Sequence, residues 1–600
     1  MHQHLVAGLS ICATLAGPAW AADPSPIFAD QGPAWTSAKR DDFYSRDQGS
    51  RMIALRWLQA LKQPNGQPFL ADSLARYGYL PNPANSNGLP VGFTATGLTG
   101  NQVAGMTCAA CHTRQITAEG KTYRIDGGPA IVDFQSFLTD LDTAVGQVVA
   151  SEAAFRSFAT AVLDSGTPDA DDIAALRKEV DLWHLRHHTL MTRALPPAPW
   201  GPGRLDAVGM IFNRLTGLDL GPPPSYLIPG NIKTADAPVR YPFLWNAPIQ
   251  DKTQWPGFAD NGNDLLALAR NLGEVFGVFG RFAPKNDVFF IDFLTNNSAN
   301  FDGLINLENL IKQIGPPKWP WLVDTNLAAQ GKAIYERATE QGGCAQCHGI
   351  TMTGSPLFPT WQTPIQNVRT DTREYAVLGW RANTGVLQGT SIPGATEPLL
   401  ENDLAFNILK TSVLGSIAEH VLTGGAVVAS DARAASAPVA QPPPRDLAAA
   451  PPSKAARLPP PLRDLQRAFK LPAPLGEGLK QEGVQPQGAS PAVAAPPSAA
   501  YEARVMQGIW AAAPYLHNGS VPTLAELLKP AAERVASFKI GSAYDTVNVG
   551  LAVQQTQFNH TLTTTDCSAL NSGNSRCGHE FGTTLSDQEK KALLEYLKTL

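Results

Sequence analysis

The chain has 600 residues, 44% of them hydrophobic and 16% charged, with a formal net charge of −5. That length is too great for a single hydrophobic core, so two domains or two halves of a larger globule are expected. The weakly negative charge, with no cluster of Lys and Arg, argues against nucleic acid as a partner and otherwise serves solubility.

Residues 1–22 are an apolar run closed by small residues and followed by Asp23-Pro24, which reads as a signal peptide despite the absence of Lys or Arg at its start. A periplasmic or secreted location is expected. Cys12 lies in this run, but Ile11 precedes it where a lipoprotein signal needs a small residue, so lipidation is not expected. No later apolar stretch approaches the ~18–20 residues of a membrane span, so no transmembrane anchor is expected.

The first domain is assigned to residues 23–315. Turn-forming Asn, Gly and Pro between Pro64 and Thr99 deliver the chain as a loop to Cys108-Ala-Ala-Cys111-His112. Helical spacing then runs over Ala130–Val149 and Asp169–Thr192, and Leu265–Phe282 reads as a buried helix. His184, His187 and His188 on the second of these read as surface or partly buried histidines.

The second domain is assigned to residues 316–600. An amphipathic helix from Asn326 to Arg337 leads into Cys344-Ala-Gln-Cys347-His348, and Ser586 with Glu589 forms a capping box that opens a terminal helix. Helix, CxxCH and closing helix are the order of a small cytochrome c domain. Residues 426–500 are largely Ala and Pro, cannot bury enough apolar surface to order themselves, and are expected to be a disordered or partly polyproline insertion. The expected fold is therefore mainly α with long loops, two cytochrome c-like haem domains and few short strands.

Each CxxCH offers two thiols for thioether bonds to a haem and a histidine for its iron. Two covalently bound haem c groups are expected, on Cys108 and Cys111 with His112, and on Cys344 and Cys347 with His348. Setting aside Cys12, the leftover pair Cys567 and Cys577 reads as a disulfide in an exported chain. The sixth iron ligand decides whether a haem transfers electrons or does chemistry. At the second haem His579, held beside the Cys577 pairing, is the first choice, with His560 and His517 as alternatives. The first haem has no obvious distal ligand nearby in sequence. Aromatics at Tyr241–Trp245 and Trp255–Phe258 are either core or an apolar ceiling that leaves room for dioxygen or peroxide, and Trp245 between the haems would shorten an electron path.

Gly105-Met-Thr-Cys-Ala-Ala-Cys-His-Thr with Arg124-Ile-Asp-Gly-Gly128, and Gly508-Ile-Trp-Ala-Ala-Ala-Pro-Tyr-Leu-His-Asn-Gly-Ser-Val-Pro-Thr-Leu524, resemble the bacterial di-haem cytochrome c peroxidase and MauG superfamily. Length and the Trp245 and Trp255–Phe258 regions resemble its long branch, which contains the rubber oxygenase RoxA and related di-haem fatty-acid dioxygenases. The resemblance implies that the N-terminal haem, on His112, takes the oxygen or peroxide, while the C-terminal haem, between His348 and His579, tunes or relays electrons. It implies Trp245 as the inter-haem aromatic and Phe258 as the distal-pocket aromatic. The implied activity is a dioxygenase acting on an unsaturated apolar substrate, a polyisoprene or a fatty acid. A peroxidase reducing hydrogen peroxide with electrons from a small cytochrome or cupredoxin fits the same motifs, as does a plain electron carrier. An apolar channel to the first iron marks the oxygenase, and a His or Glu acid/base over it marks the peroxidase.

Overall fold

The computed structural model describes residues 25–164, 168–287, 290–350, 352–355, 358–427, 468–471 and 499–600. The signal peptide, Cys12 and most of the Ala/Pro insertion lie outside the described residues.

Two hairpins frame the first CxxCH motif. β1 (Phe93–Thr96) pairs antiparallel with β2 (Val103–Met106), and β3 (Thr113–Ala118) with β4 (Lys121–Asp126) in the register Thr113 to Asp126. The motif is the link between β2 and β3. Asp126 at the end of β4 is buried and accepts hydrogen bonds from Trp35, Tyr44 and Arg40 at 2.8, 2.6 and 2.7 Å, so its charge is fully satisfied and pins the N-terminal segment to the hairpin.

The helices begin where capping residues allow. α1 (Phe134–Val149), α2 (Ala170–Ala194), α3 (Ala207–Leu218) and α4 (Asp264–Gly277) are N-capped by the side chains of Asp133, Asp169, Asp206 and Asn263. α4 ends five residues before the expected Phe282. Phe279 there adopts a left-handed φ of +68°, which a continuing helix excludes, and its ring is buried instead. α5 (Phe301–Ile311) completes the first half.

α6 (Thr325–Tyr335) and α8 (Asp587–Thr599) cross closely, with α7 (Ala405–Leu422) between them in sequence. At the crossing a Cβ on Gly331 would lie 1.9 Å from the Ala592 carbonyl oxygen, so only glycine fits. The Ser586–Glu589 capping box forms as the sequence predicts.

The two halves do not keep separate cores. α7, buried over most of its surface between Ala405 and Ala418 except at Asn407 and Lys410, packs on α3 and α4 in one apolar cluster that includes Phe212, Leu272, Leu409 and Val413. Arg204 donates to the Asn518 carbonyl at 2.9 Å, and the Thr117 N–H to that of Ser542 at 2.7 Å, stitching the C-terminal region onto the first half.

Strands are short but numerous: among the described residues no sheet has more than three. Ala468–Leu471 departs from the expectation for 426–500, since the Ala468 carbonyl accepts from Asp260 and Lys470 donates to Phe258. Phe469 is buried there against Phe406, supplying the apolar surface that the Ala/Pro run lacks. Among the described residues no helix is long and apolar enough to cross a membrane.

Candidate functional site

The first motif opens with a 3-10 turn at Cys108–Ala110, and the His112 N–H donates to the Cys108 carbonyl at 3.0 Å. The chain on either side is held by Gly127 N–H to the His112 carbonyl at 2.8 Å and Ala130 N–H to that of Cys111 at 3.0 Å. The His112 Nδ1 lies 2.9 Å from the Pro242 carbonyl oxygen. A carbonyl only accepts, so the proton sits on Nδ1 and Nε2 keeps its lone pair for a metal.

The second motif repeats the device with different parts. Cys344 N–H donates to the carbonyl of Tyr335, the last residue of α6, at 2.9 Å, and the Tyr335 hydroxyl donates to the His348 carbonyl at 3.1 Å. The His348 Nδ1 lies 2.6 Å from the Arg504 carbonyl oxygen, which again frees Nε2.

Burial holds both motif histidines neutral, pushing His112 down to about 4 and lowering His348 as well. Burial also raises the thiols, Cys111 to about 12 and Cys344 to about 11. All four motif cysteines are free, whereas Cys567 and Cys577 are joined in the expected disulfide with Cα atoms 5.3 Å apart. Two thiols beside a tautomer-fixed imidazole at each motif are the donor set that haem c would need.

His579 faces His348 with ring centroids 6.1 Å apart. Two imidazoles on one iron stand roughly 6 Å apart, from iron–nitrogen bonds of about 2 Å and ring radii of about 1.1 Å, so the pair has the spacing of two axial ligands. His579 is held in the left-handed region at φ +52°, a conformation costing on the order of 1–3 kcal/mol that persists only where surroundings impose it. They do: its N–H donates to the Val368 carbonyl at 2.9 Å, and Arg534 donates to the carbonyls of Arg576, Gly578 and His579 at 2.7, 2.8 and 3.1 Å. Burial and the neighbouring His348 push His579 down to about 3, and its Nδ1 is buried without a hydrogen-bond partner.

His517 lines the same cavity, stacked on Tyr501 at 3.9 Å and 14°. His560 lies elsewhere, against Gly201, where a Cβ would come within 2.5 Å of its Nε2.

Trp245 is fully buried, stacks on Phe243 at 4.7 Å and 10°, and donates through Nε1 to the Gln507 carbonyl at 2.8 Å. It shares an apolar cluster with Ala109 of the first motif. Phe258 belongs to the other cluster, edge-on to Phe406 at 5.6 Å, so the two aromatics singled out in sequence do not sit in one group. Trp255, read in sequence together with Phe258 as core or apolar ceiling, lines the cavity of the second motif beside Arg240 and Arg504.

Three further residues were missed. Arg504 and Arg534 act through backbone carbonyls distant in sequence, and nothing in their local pattern marks them. Glu274, a lone carboxyl in the apolar run of α4, carried a signal: charge in a buried helix. Its charge helps to raise the Cys108 and Cys111 thiols, burial raises its own carboxyl, and Gln254 donates to it at 3.0 Å.

Comparison with known proteins bears on this arrangement. Residues 500–539 match the family described as RoxA-like, cytochrome c-like. That segment supplies Tyr501, Arg504, His517 and Arg534, and so lines the second cavity and braces it. The chain is 31% identical to the Sinorhizobium fredii uncharacterized protein y4iJ, over 94% of this chain and 92% of that one. A shorter likeness, 52% identical over 50 residues, links 8% of this chain to 12% of the uncharacterized protein y4iM of the same organism.

Proposed function

Since the chain belongs to the family of the y4iJ protein and carries a RoxA-like, cytochrome c-like segment, a haem oxidoreductase, we propose that it is an exported dioxygenase with two covalently attached haems c. One haem is assigned to Cys108, Cys111 and His112, the other to Cys344, Cys347, His348 and His579. The substrate class is an unsaturated apolar molecule, a polyisoprene or a fatty acid.

The observation that carries this reading is the inequality of the two motifs. His348 faces a second imidazole, while the ring beside His112 is that of Tyr241, edge-on at 6.2 Å. A site with two facing imidazoles would suit electron storage, and one holding a single imidazole would suit oxygen chemistry. The haem supplies oxygen activation. The chain holds the His112 tautomer through Pro242, excludes water with buried aromatics, and offers Trp245 and Phe243 as a stacked pair between the two motif neighbourhoods.

Oxygen uptake by the purified protein, without added peroxide, on an unsaturated fatty acid and on a polyisoprene emulsion tests the proposal. Uptake with formation of a cleaved or hydroperoxidised product supports it. Silence on both, with peroxide consumed in the presence of a reduced small cytochrome, replaces it with a peroxidase.

Glu274 favours that second reading, because a carboxyl beside the first motif whose proton affinity is raised by burial is the kind of acid/base group a peroxidase needs. Glu274→Gln separates the two: a loss of about 10²–10⁴-fold confined to peroxide turnover marks the peroxidase, and unchanged oxygen uptake marks the oxygenase.

A further inference from the structure

The three histidines of α2 do different things. His187 turns inward, stacks on Trp183 at 4.6 Å and donates from Nε2 to the Leu138 carbonyl of α1 at 3.2 Å. His184 and His188 stand one turn apart on the other side, their rings 5.2 Å from each other. Both converge on a single carboxylate of α1: the His188 Nδ1 lies 2.8 Å from Oδ2 of Asp142, and the His184 Nε2 lies 3.7 Å from Oδ1.

Asp142 is largely buried, and its Oδ1 has no hydrogen-bond partner although it is shielded from water. A buried carboxylate oxygen left without a donor is costly, and natural proteins rarely leave one unexplained. The sequence also clears the space it faces. Gly146, one turn beyond Asp142 on α1, already places a hypothetical Cβ 3.3 Å from the His184 Nε2, so a larger residue there would push that ring away.

We propose that Asp142, His184 and His188 form a binding site for a divalent transition metal of the zinc class, separate from the haem motifs. Two imidazoles at i and i+4 with one carboxylate are a nitrogen–oxygen donor set that suits Zn²⁺ and leaves a fourth position for water. The ligand atoms lie within 4.8 Å of one another. A tetrahedral ion with bonds of about 2.0–2.1 Å draws its donors to about 3.3 Å apart, so the 3.7 Å His184–Asp142 gap closes, the 2.8 Å His188–Asp142 gap opens, and the Nδ1 proton that His188 gives Asp142 is released to solvent as the ion takes its place. His188 is 53% exposed, which gives the ion an entry path and keeps the open position in contact with solvent. The ion would tie α2 to α1 midway along both, where Arg177 and Asp181 already pair along the exposed edge of α2 at 3.0 Å.

The test uses the full haem-loaded protein without a histidine tag. After removal of adventitious metal with a chelator, it is dialysed against Zn²⁺, and zinc and iron are counted by mass spectrometry. One zinc per chain is expected, with a zinc-dependent rise in Tm. The paired variant His184→Gln/His188→Gln should lose about tenfold or more in zinc affinity and the Tm response together. Asp142→Asn, which keeps the shape of the side chain, should do the same. The haem spectra of all three proteins should match and so establish that they are folded. Zinc bound equally by the wild type and both variants, or no zinc bound by the wild type, overturns the proposal and leaves Asp142 and His188 as an ordinary charged hydrogen-bonded pair.

Discussion

The Arg504 carbonyl oxygen takes the Nδ1–H of His348 at 2.6 Å, while the Arg504 guanidinium donates to the Phe243 carbonyl at 2.8 Å and lies 4.2 Å over the Phe243 ring. Phe243 follows Pro242, whose carbonyl takes the Nδ1–H of His112. The two motif histidines are thus oriented by backbone carbonyls that one buried arginine ties together. Arg504 is paired in turn with Glu502 at 2.8 Å, both groups being almost fully buried. Arg504→Met leaves the Glu502 carboxylate without its cation and should cost roughly 3–5 kcal/mol of stability in urea unfolding. Adding Glu502→Gln should recover part of that loss, and in both variants the midpoint potentials of the two haems should move together. A shift confined to the haem on His348 would refute the tie.

Three histidines compete in sequence for the iron of the proposed second haem, and of these His579 faces His348. His579→Ala should convert a low-spin second haem to high-spin in the optical and EPR spectra. His517→Ala should leave the spin state unchanged, because that ring is stacked on Tyr501, and His560→Ala should do likewise from its place against Gly201. A spin change in the His517 variant with none in the His579 variant would reverse the assignment.

The strained backbone of His579 makes a further expectation about its supports. Cys577 lies two residues before it, and the disulfide to Cys567 closes a separation of 10 residues. Replacing both cysteines by serine should destabilise the fold by about 2–3 kcal/mol through the freedom returned to the unfolded chain. It should also release part of the second haem to a high-spin form at room temperature. Arg534→Met, which removes three hydrogen bonds to the same loop, should give the same spectral mixture with the disulfide intact. Unchanged spectra in both variants would mean that the loop holds His579 without them.

How much of this was legible in sequence follows from the range of each interaction. The capping box at Ser586 and the Cys567–Cys577 pairing are local patterns whose chemistry fixes their spacing, and both form as read. Arg504 meets His348 across 156 residues and Arg534 meets His579 across 45, so neither could be inferred from spacing. Trp245 and Phe258 are only thirteen positions apart, yet the intervening turn sends them into different apolar clusters. The boundary drawn at residue 315 follows chain order, whereas α7 of the second half buries most of its surface and is covered by α3 and α4 of the first. Phe469 shows the same limit from the other side, since one aromatic ring suffices to dock a short piece of a run whose composition otherwise forbids a core.

The crossing of α6 and α8, which closes the second half over its motif, should respond to acid through one carboxylate. The side-chain hydrogen bond from Arg337, at 2.7 Å just beyond α6, is the main cause that lowers the Glu589 carboxyl to about 2, and the Ser586 N–H and hydroxyl on its other oxygen add to it. A carboxyl whose folded value lies below its unfolded one binds fewer protons when folded. Its stabilising contribution is therefore complete above about pH 4.5, where the unfolded carboxyl is already ionised, and is lost as the pH falls toward 2. Glu589→Gln can still accept from Ser586 in the capping box but has no charge for Arg337, so its Tm should lie below that of the wild type at pH 7 and converge on it as the pH falls from 4.5. A gap that stays constant over that range would assign the difference to the cap, and the helix crossing would then owe nothing to the Arg337–Glu589 pair.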